Sequence, residues 1–311
     1  MRLRALLFII FTTRLWGQAP DNTVLLSVNE GLSQGMVFDV LQGRDGFMWL
    51  ATKDGLNRYD GYRFEIFTHD PFDPFSIASN EIWQVYEDSL GRLWLSYPGG
   101  IDVFMPGSGR FFHIDKDLLP DFDGSEVTFT ETPDGVLWVT DLGNLLRIEV
   151  PPGAFESALT AGDGILHPFV SELGNSTLYR GTRLCFLSVR YNKRNNALLV
   201  GTFQGFFRLD TDHLRLELIA LEGIPVRIFE ESNSGEVWLK SMSKTLFHLY
   251  STFFDFEKMK KAGFEDGIWV WNGDPGACRK IPFTREFSKL SKFDANGFPG
   301  RCGNRGEWLR G

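Results

Sequence analysis

Asp45-Gly46-Phe47-Met48-Trp49-Leu50-Ala51-Thr52-Lys53-Asp54-Gly55-Leu56-Asn57-Arg58-Tyr59-Asp60-Gly61 is the stretch that decides the fold of this 311-residue chain. Short runs of aromatic and branched residues stand between glycine turns. Arg44-Asp45-Gly46 reads as a hairpin turn, because glycine takes a positive φ without a Cβ clash. Residues 37–41 and 47–52 read as the strands on either side of it. Lys53-Asp54-Gly55 turns the chain again, 56–59 is a third strand, Asp60-Gly61 a third turn and 63–67 a fourth strand.

The same arrangement returns along the chain. Trp49 to Trp94 is a step of 45 residues, and Gly46 to Gly91 and Gly55 to Gly100 repeat it. Trp94 to Trp138 is 44 residues, with Gly135 before and Thr140 and Gly143 after. A weaker unit holds Gly201, Thr202 and Gly205, with Leu199 in the tryptophan slot 61 residues after Trp138, so an insertion is expected over 151–181. Gly235 and Trp238 mark a fifth unit, 39 residues after Leu199. A period near 45 with one Gly-x-x-Trp per unit predicts an all-β chain, a partial β-propeller of about five to six four-stranded antiparallel blades. A lone sheet of this kind leaves apolar faces in water. Blades packed face to face bury them, with Trp49, Trp94, Trp138 and Trp238 in the wedges between neighbours. Thr52, Thr140, Thr202 and the motif glycines are read as blade builders, and Asp45, Asp88 and Asp134 as turn caps.

Composition agrees. The chain holds 29 Phe, 9 Trp and 33 Gly, and its net charge of -8 argues against a nucleic-acid surface. Arg2 and Arg4 precede a nine-residue apolar run, ALLFIIFTT, which fits a removed export signal over 1–18. Nine residues are too few to span a bilayer, which takes about 20. An uncleaved anchor or a buried N-terminal strand is the alternative. No other apolar run reaches spanning length, so no membrane span is expected once the signal is removed. Cys185, Cys278 and Cys302 lack metal spacing; a Cys278–Cys302 disulfide and three unpaired thiols both stay open. Asn175-Ser176-Thr177 is a glycosylation sequon taken as chance.

Gly31-Leu32-Ser33-Gln34, Val37 and the run from Asp45 to Gly61 resemble the two-component regulator propeller repeat. Ser76-Ile77-Ala78-Ser79-Asn80-Glu81-Ile82 resembles the linker that opens the next blade. The resemblance is specific over 31–104 and decays over 126–256 while the period persists. It implies the N-terminal periplasmic sensor region of hybrid two-component histidine kinases of Bacteroidetes-like bacteria. There a signal peptide precedes two propellers that bind or report on glycans, and a β-sandwich, one membrane helix and the kinase follow.

The chain departs from that pattern. Five units are clear, and His69, His113, His167, His213 and His248 are scattered with no phosphoacceptor context or ATP-binding glycine box. The resemblance therefore implies sensor ancestry without kinase activity in this chain, hence not an enzyme, with no cofactor and no metal. Residues 257–311 hold 11 Lys+Arg against 7 Asp+Glu, whereas 1–256 hold 21 against 33. The repeats are accordingly assigned to 19–256, and 257–311 to a degenerate or truncated sixth blade and a disordered tail. Residues 267–271 are the candidate sixth-blade strand, and Thr23 to Val28 a strand left at the edge of an open arc. The expected function is an exported, periplasmic or secreted ligand-sensing module with an oligosaccharide partner. Self-association through open propeller faces is expected, and no nucleic-acid partner. A propeller lyase or hydrolase and a nonfunctional truncated gene product are the alternatives.

Overall fold

The computed structural model describes residues 25–281, apart from 120–121, 125–126, 142–143, 174–177, 180–181, 212, 232–234, 242–267 and 274–277. The export signal, the sequon, Gly143, Cys302 and the C-terminal tail lie outside the described residues.

Among the described residues five four-stranded antiparallel meanders follow one another, and a two-stranded ribbon, Leu178–Tyr179 with Thr182–Arg183, stands between the third and the fourth. Blade one is Val37–Gln42, Met48–Thr52, Gly55–Tyr59 and Phe64–Phe67. Blade two is Gln84–Glu87, Leu93–Tyr97, Gly100–Met105 and Arg110–Ile114. Blade three is Thr128–Glu131, Leu137–Asp141, Asn144–Glu149 and Phe169–Glu172. Blade four is Phe186–Asn192, Ala197–Thr202, Gly205–Asp210 and Arg215–Ala220. Blade five is Val226–Glu231, Val237–Ser241, Ile268–Trp271 and Cys278–Ile281. The first strands of consecutive blades neighbour one another, so they line the axis of a β-propeller arc.

Every residue of Leu93–Tyr97 is buried, because blades cover both faces of that strand. Trp49 is 1 % exposed and lies against Phe104 of blade two, with ring centroids 5.4 Å apart. Trp94 packs with Leu137 and Val139 of blade three, and Trp138 with Val200 and Phe207 of blade four. Leu199 fills the same place against Val226, Val237 and Leu239 of blade five. Trp238 is half-buried and faces away from blade four, since the neighbouring Val237 and Leu239 take the covered side. Asp88 shows how turn and wedge are joined. One carboxylate oxygen accepts from the backbone N–H groups of Leu90 and Arg92, and the other accepts the indole N–H of Trp94 at 2.9 Å.

Three expectations need correction. Residues 268–271 do not open a sixth blade. Ile268–Trp271 pairs with Val237–Ser241 as the third strand of blade five, where Trp271 completes the apolar contact with blade four. The insertion is more than a loop. It holds a helix, Ala154–Ala161, then Ile165–Leu166, which joins the outer strand of blade two in parallel, and then the fourth strand of blade three. Leu166 and Ala158 are buried in the core between blades two and three, which gives the insertion its anchor. Ser27 does not continue a strand from Thr23. Its hydroxyl and Glu30 form a capping box that starts the 3-10 turn Val28–Glu30. Of the two readings left open for Cys278, the free thiol is the one observed among the described residues.

Pairing also refines the motif. Thr52 pairs with Gly55 and Thr202 with Gly205, and each threonine hydroxyl closes its own hairpin by donating to the glycine carbonyl. The equivalent residues are Tyr97 in blade two and Asp141 in blade three, so Thr140 is not the counterpart of Thr52. Thr140 instead shares a 2.6 Å hydrogen bond with Thr128, whose hydroxyl accepts the Val189 N–H of blade four. Third strands catch the linkers. Asn57 accepts from the Ser33 N–H, and Asp102, 45 residues later, accepts from the Ala78 N–H.

Gly100 is required by Tyr97, because a Cβ there would stand 2.3 Å from the phenol oxygen. Gly100→Ala is therefore expected to destabilise the wild-type chain in urea melts and to cost much less in a Tyr97→Thr background, a non-additivity that a double-mutant cycle measures. Trp49→Ala should cost about 3–5 kcal/mol through the cavity it leaves between blades, read as a lowered urea midpoint.

Candidate functional site

The inner ends of the first strands, with the turns that follow them, form a mouth at the propeller axis. Two cavities of about 730 and 620 Å³ open there and share Tyr86, Glu131, Tyr191 and Lys193 in their walls. Their size suits a small-molecule ligand.

Hydrogen bonds tie this rim from blade to blade. The Arg44 N–H donates to Glu87 at 2.9 Å, and its guanidinium donates to the Ser89 carbonyl at 3.1 Å. Ser89 donates to Glu131 through its N–H at 2.6 Å and its hydroxyl at 2.8 Å. The Tyr191 N–H donates to the Thr130 hydroxyl at 2.9 Å, and Asn192 donates to Glu231 at 3.0 Å. Charge-assisted bonds of this kind are the stronger ones, and they hold the mouth as a preformed concavity.

Within it the chemistry is mixed. Tyr86 stacks on Phe129 with centroids 6.0 Å apart. Its oxygen accepts the Glu131 N–H, which leaves its own hydrogen free to donate into the cavity. Burial, and next the Glu131 charge, push the Tyr86 pKa up to about 12, so the phenol is neutral at physiological pH. Arg190 and Lys193 line the wall and take no ion pair among the described residues. The arrangement can stack a ring, donate hydrogen bonds and attract negative charge. Among the described residues no group of three or more His, Cys, Asp or Glu could hold a metal ion.

Of the motif residues read from the sequence, only Gly235 touches this mouth among the described residues. Gly46, Gly55, Gly91 and Gly135 turn their hairpins with positive φ, and Trp49, Trp94 and Trp138 serve the core. The sequence carries a signal for the rim. Gln42, Glu87, Glu131 and Glu231 each stand seven residues before a motif tryptophan, a fixed offset that places all four at one end of the axis.

Residues 76–99 match the family model of the two component regulator propeller. The match spans the linker caught by Asp102 and the first two strands of blade two. A stretch of 49 residues is 45 % identical to a histidine kinase of Formosa agariphila, covering 16 % of this chain and 4 % of that protein. The fold is similar to a crystal structure described as the extracellular domain of a one component system of B. thetaiotaomicron. That similarity has a TM-score of 0.54 at 12 % identity over 83 % of this chain and 33 % of that one. It is also similar to PorZ, a surface component of the type-IX secretion system of Porphyromonas gingivalis. There the TM-score is 0.52 at 14 % identity, over 82 % of this chain and 34 % of that one. The chain thus spans about a third of these two structures. Among the described residues no helix is long and apolar enough to cross a membrane.

Glu131 joins blades two and three at the rim through its carboxylate. Glu131→Ala should lower stability by about 1 kcal/mol in urea melts, and Ser89→Ala should add little in that background because the one bond it removes, from the hydroxyl, is already gone.

Proposed function

We propose that the chain is the exported ligand-sensing propeller of a two-component signalling system, and that it receives an oligosaccharide at the axial mouth. The observation that carries the reading is the mouth itself: stacked Tyr86 and Phe129, a free phenolic donor, and the uncommitted Arg190 and Lys193 on a rim braced across blades. Sugar rings stack on aromatic faces and present many hydroxyls, and the two cations favour a sugar bearing carboxylate or sulfate groups. The matched repeat and the kinase relative support the signalling context. The basic and apolar N-terminus supports a periplasmic or secreted address. We read a binding module in preference to a lyase or hydrolase, because Glu87 and Glu131 are engaged as structural acceptors between blades.

Calorimetric titration with a panel of neutral and acidic oligosaccharides tests this. Binding of an acidic member is expected, weakened at least tenfold by the Arg190→Ala/Lys193→Ala double variant. Silence across the panel, or binding indifferent to that variant, would overturn the reading.

A further inference from the structure

The outer edge of blade two is shared between two segments, and one histidine stands where they meet. On the fourth strand, Arg110–Ile114, the Phe111 N–H donates to the Phe75 carbonyl of the linker at 2.9 Å. The His113 N–H donates to the Gly164 carbonyl of the insertion at 2.9 Å, and the Asp115 N–H to the Leu166 carbonyl at 3.0 Å. The linker thus covers one end of this edge and the insertion the other. They touch at Pro74, whose carbonyl oxygen would lie 2.5 Å from a Cβ placed on Gly164.

The His113 ring closes this junction. Nδ1 lies 2.8 Å from one oxygen of Asp102, and Nε2 lies 3.0 Å from the Pro74 carbonyl oxygen. The other Asp102 oxygen accepts the Ala78 N–H at 2.8 Å, and the residue is fully buried. An imidazole facing two acceptors satisfies both only as the imidazolium, with a proton on each nitrogen. Neutral, it has a single N–H. The buried carboxylate is the stronger acceptor, so that proton stays on Nδ1. Nε2 then turns a lone pair on the Pro74 oxygen, and the contact that fastens the linker becomes repulsive.

Blade one shows that this pair is an addition to the repeat. Asn57 and Thr68 stand 45 residues before Asp102 and His113. Asn57 accepts the Ser33 N–H much as Asp102 accepts the Ala78 N–H. Catching a linker therefore needs neither the carboxylate nor the imidazole, and the pair serves the second contact, at Pro74.

His113 lies in the wall of a cavity of about 460 Å³, and the charges around that cavity mostly favour its proton. The linker contributes Asp70 and Asp73, and the insertion contributes Asp163. Lys116 opposes the charge, while Asp115 is paired with His167. Arg110, on the same strand, lies over the Phe75 ring, and His69 is bonded through Nδ1 to the Ile77 carbonyl. Tyr97 adds no charge, because burial, then Asp102, hold its phenol protonated. Burial of His113 works against the imidazolium. The Asp102 bond and charge and the Pro74 carbonyl outweigh it, and the pKa is raised above 6.5.

We propose that His113 is a proton-operated clasp, which fastens linker residues 70–74 to the edge of blade two when doubly protonated and lets them lift away when it loses a proton. The opening is confined to that turn. Phe75 stays pinned under Arg110 and edge-on to Phe112, and Ile77 is fully buried beyond it. A base whose pKa is raised on folding contributes stability that is complete below its unfolded value, about 6.5, and is lost as pH rises through the folded one. The clasp is accordingly shut at pH 5.5 and opens as the medium turns alkaline. It does not rest on the oligosaccharide reading, since it lies outside the axial mouth.

Two measurements on the full chain test this. Histidine Cε1–H signals are followed by NMR from pH 5 to 9, with His113 assigned by its loss in His113→Gln. It is expected to titrate above 6.5. Hydrogen exchange, corrected for its intrinsic pH dependence, is read by mass spectrometry at pH 5.5 and 8.5. Exchange over 70–76 should quicken several-fold at the higher pH, while 197–202 in blade four keeps its rate. His113→Gln is neutral throughout and should abolish that difference. Asp102→Asn keeps an acceptor for Ala78, as in blade one, and should lower the His113 titration below the wild-type value. Should His113→Gln not fold, substituting the other four histidines one at a time assigns the signal by elimination, and Asp102→Asn supplies the comparison. A His113 titration at or below 6.5, one unmoved by Asp102→Asn, or exchange over 70–76 with the same pH response in wild type and His113→Gln would overturn the proposal.

Discussion

The wedge between adjacent sheets is the contact on which the molecule depends. A four-stranded meander has two apolar faces and cannot bury them alone. The indoles of Trp49, Trp94 and Trp138 fill the gap to the next blade and are 1 % exposed. Sheets diverge as they leave the axis, and a large flat side chain fills that widening space better than an aliphatic one. Blade four manages with Leu199 because Phe206 and the Trp271 of blade five meet edge to face, 5.5 Å apart, and supply the missing aromatic volume.

Once the wedges fix the blades, the first strands are brought side by side, and their free backbone groups need partners. Threonine and serine hydroxyls meet part of that need: Thr128, Thr130 and Ser188 accept N–H groups from the following blade. At the mouth the same task falls to carboxylates, so the groups that brace the rim also set its electrostatics. The cations left over, Arg190 and Lys193, are therefore the ones available to a ligand.

A repeat protein supplies its own controls. Thr52 and Thr202 do the same job three blades apart, so their replacement by Tyr97 marks a position relieved of that job. The hairpin there still forms, because Pro98-Gly99 turns it and Gly100 leaves room for the phenol ring. The phenol is buried beside Asp102, which His113 also faces, so three residues that break the pattern lie together.

The sequence by itself determined the strands, the glycine turns, the blade period and the burial of Trp49, Trp94 and Trp138. All of these follow from short-range rules: alternation, glycine conformational freedom, and spacing that repeats near 45 residues. It failed where a pairing partner is distant. Residues 268–271 carry strand composition, but only their register against Val237–Ser241 assigns them to blade five. The insertion was legible as extra length, yet its helix and its parallel strand on blade two are set by burial against a core it does not belong to in sequence. The axial site was legible only as the carboxylates at a fixed offset before the motif tryptophans. Glu131 and Arg190 stand on separate blades, and they become neighbours only when the wedges stack those blades around one axis.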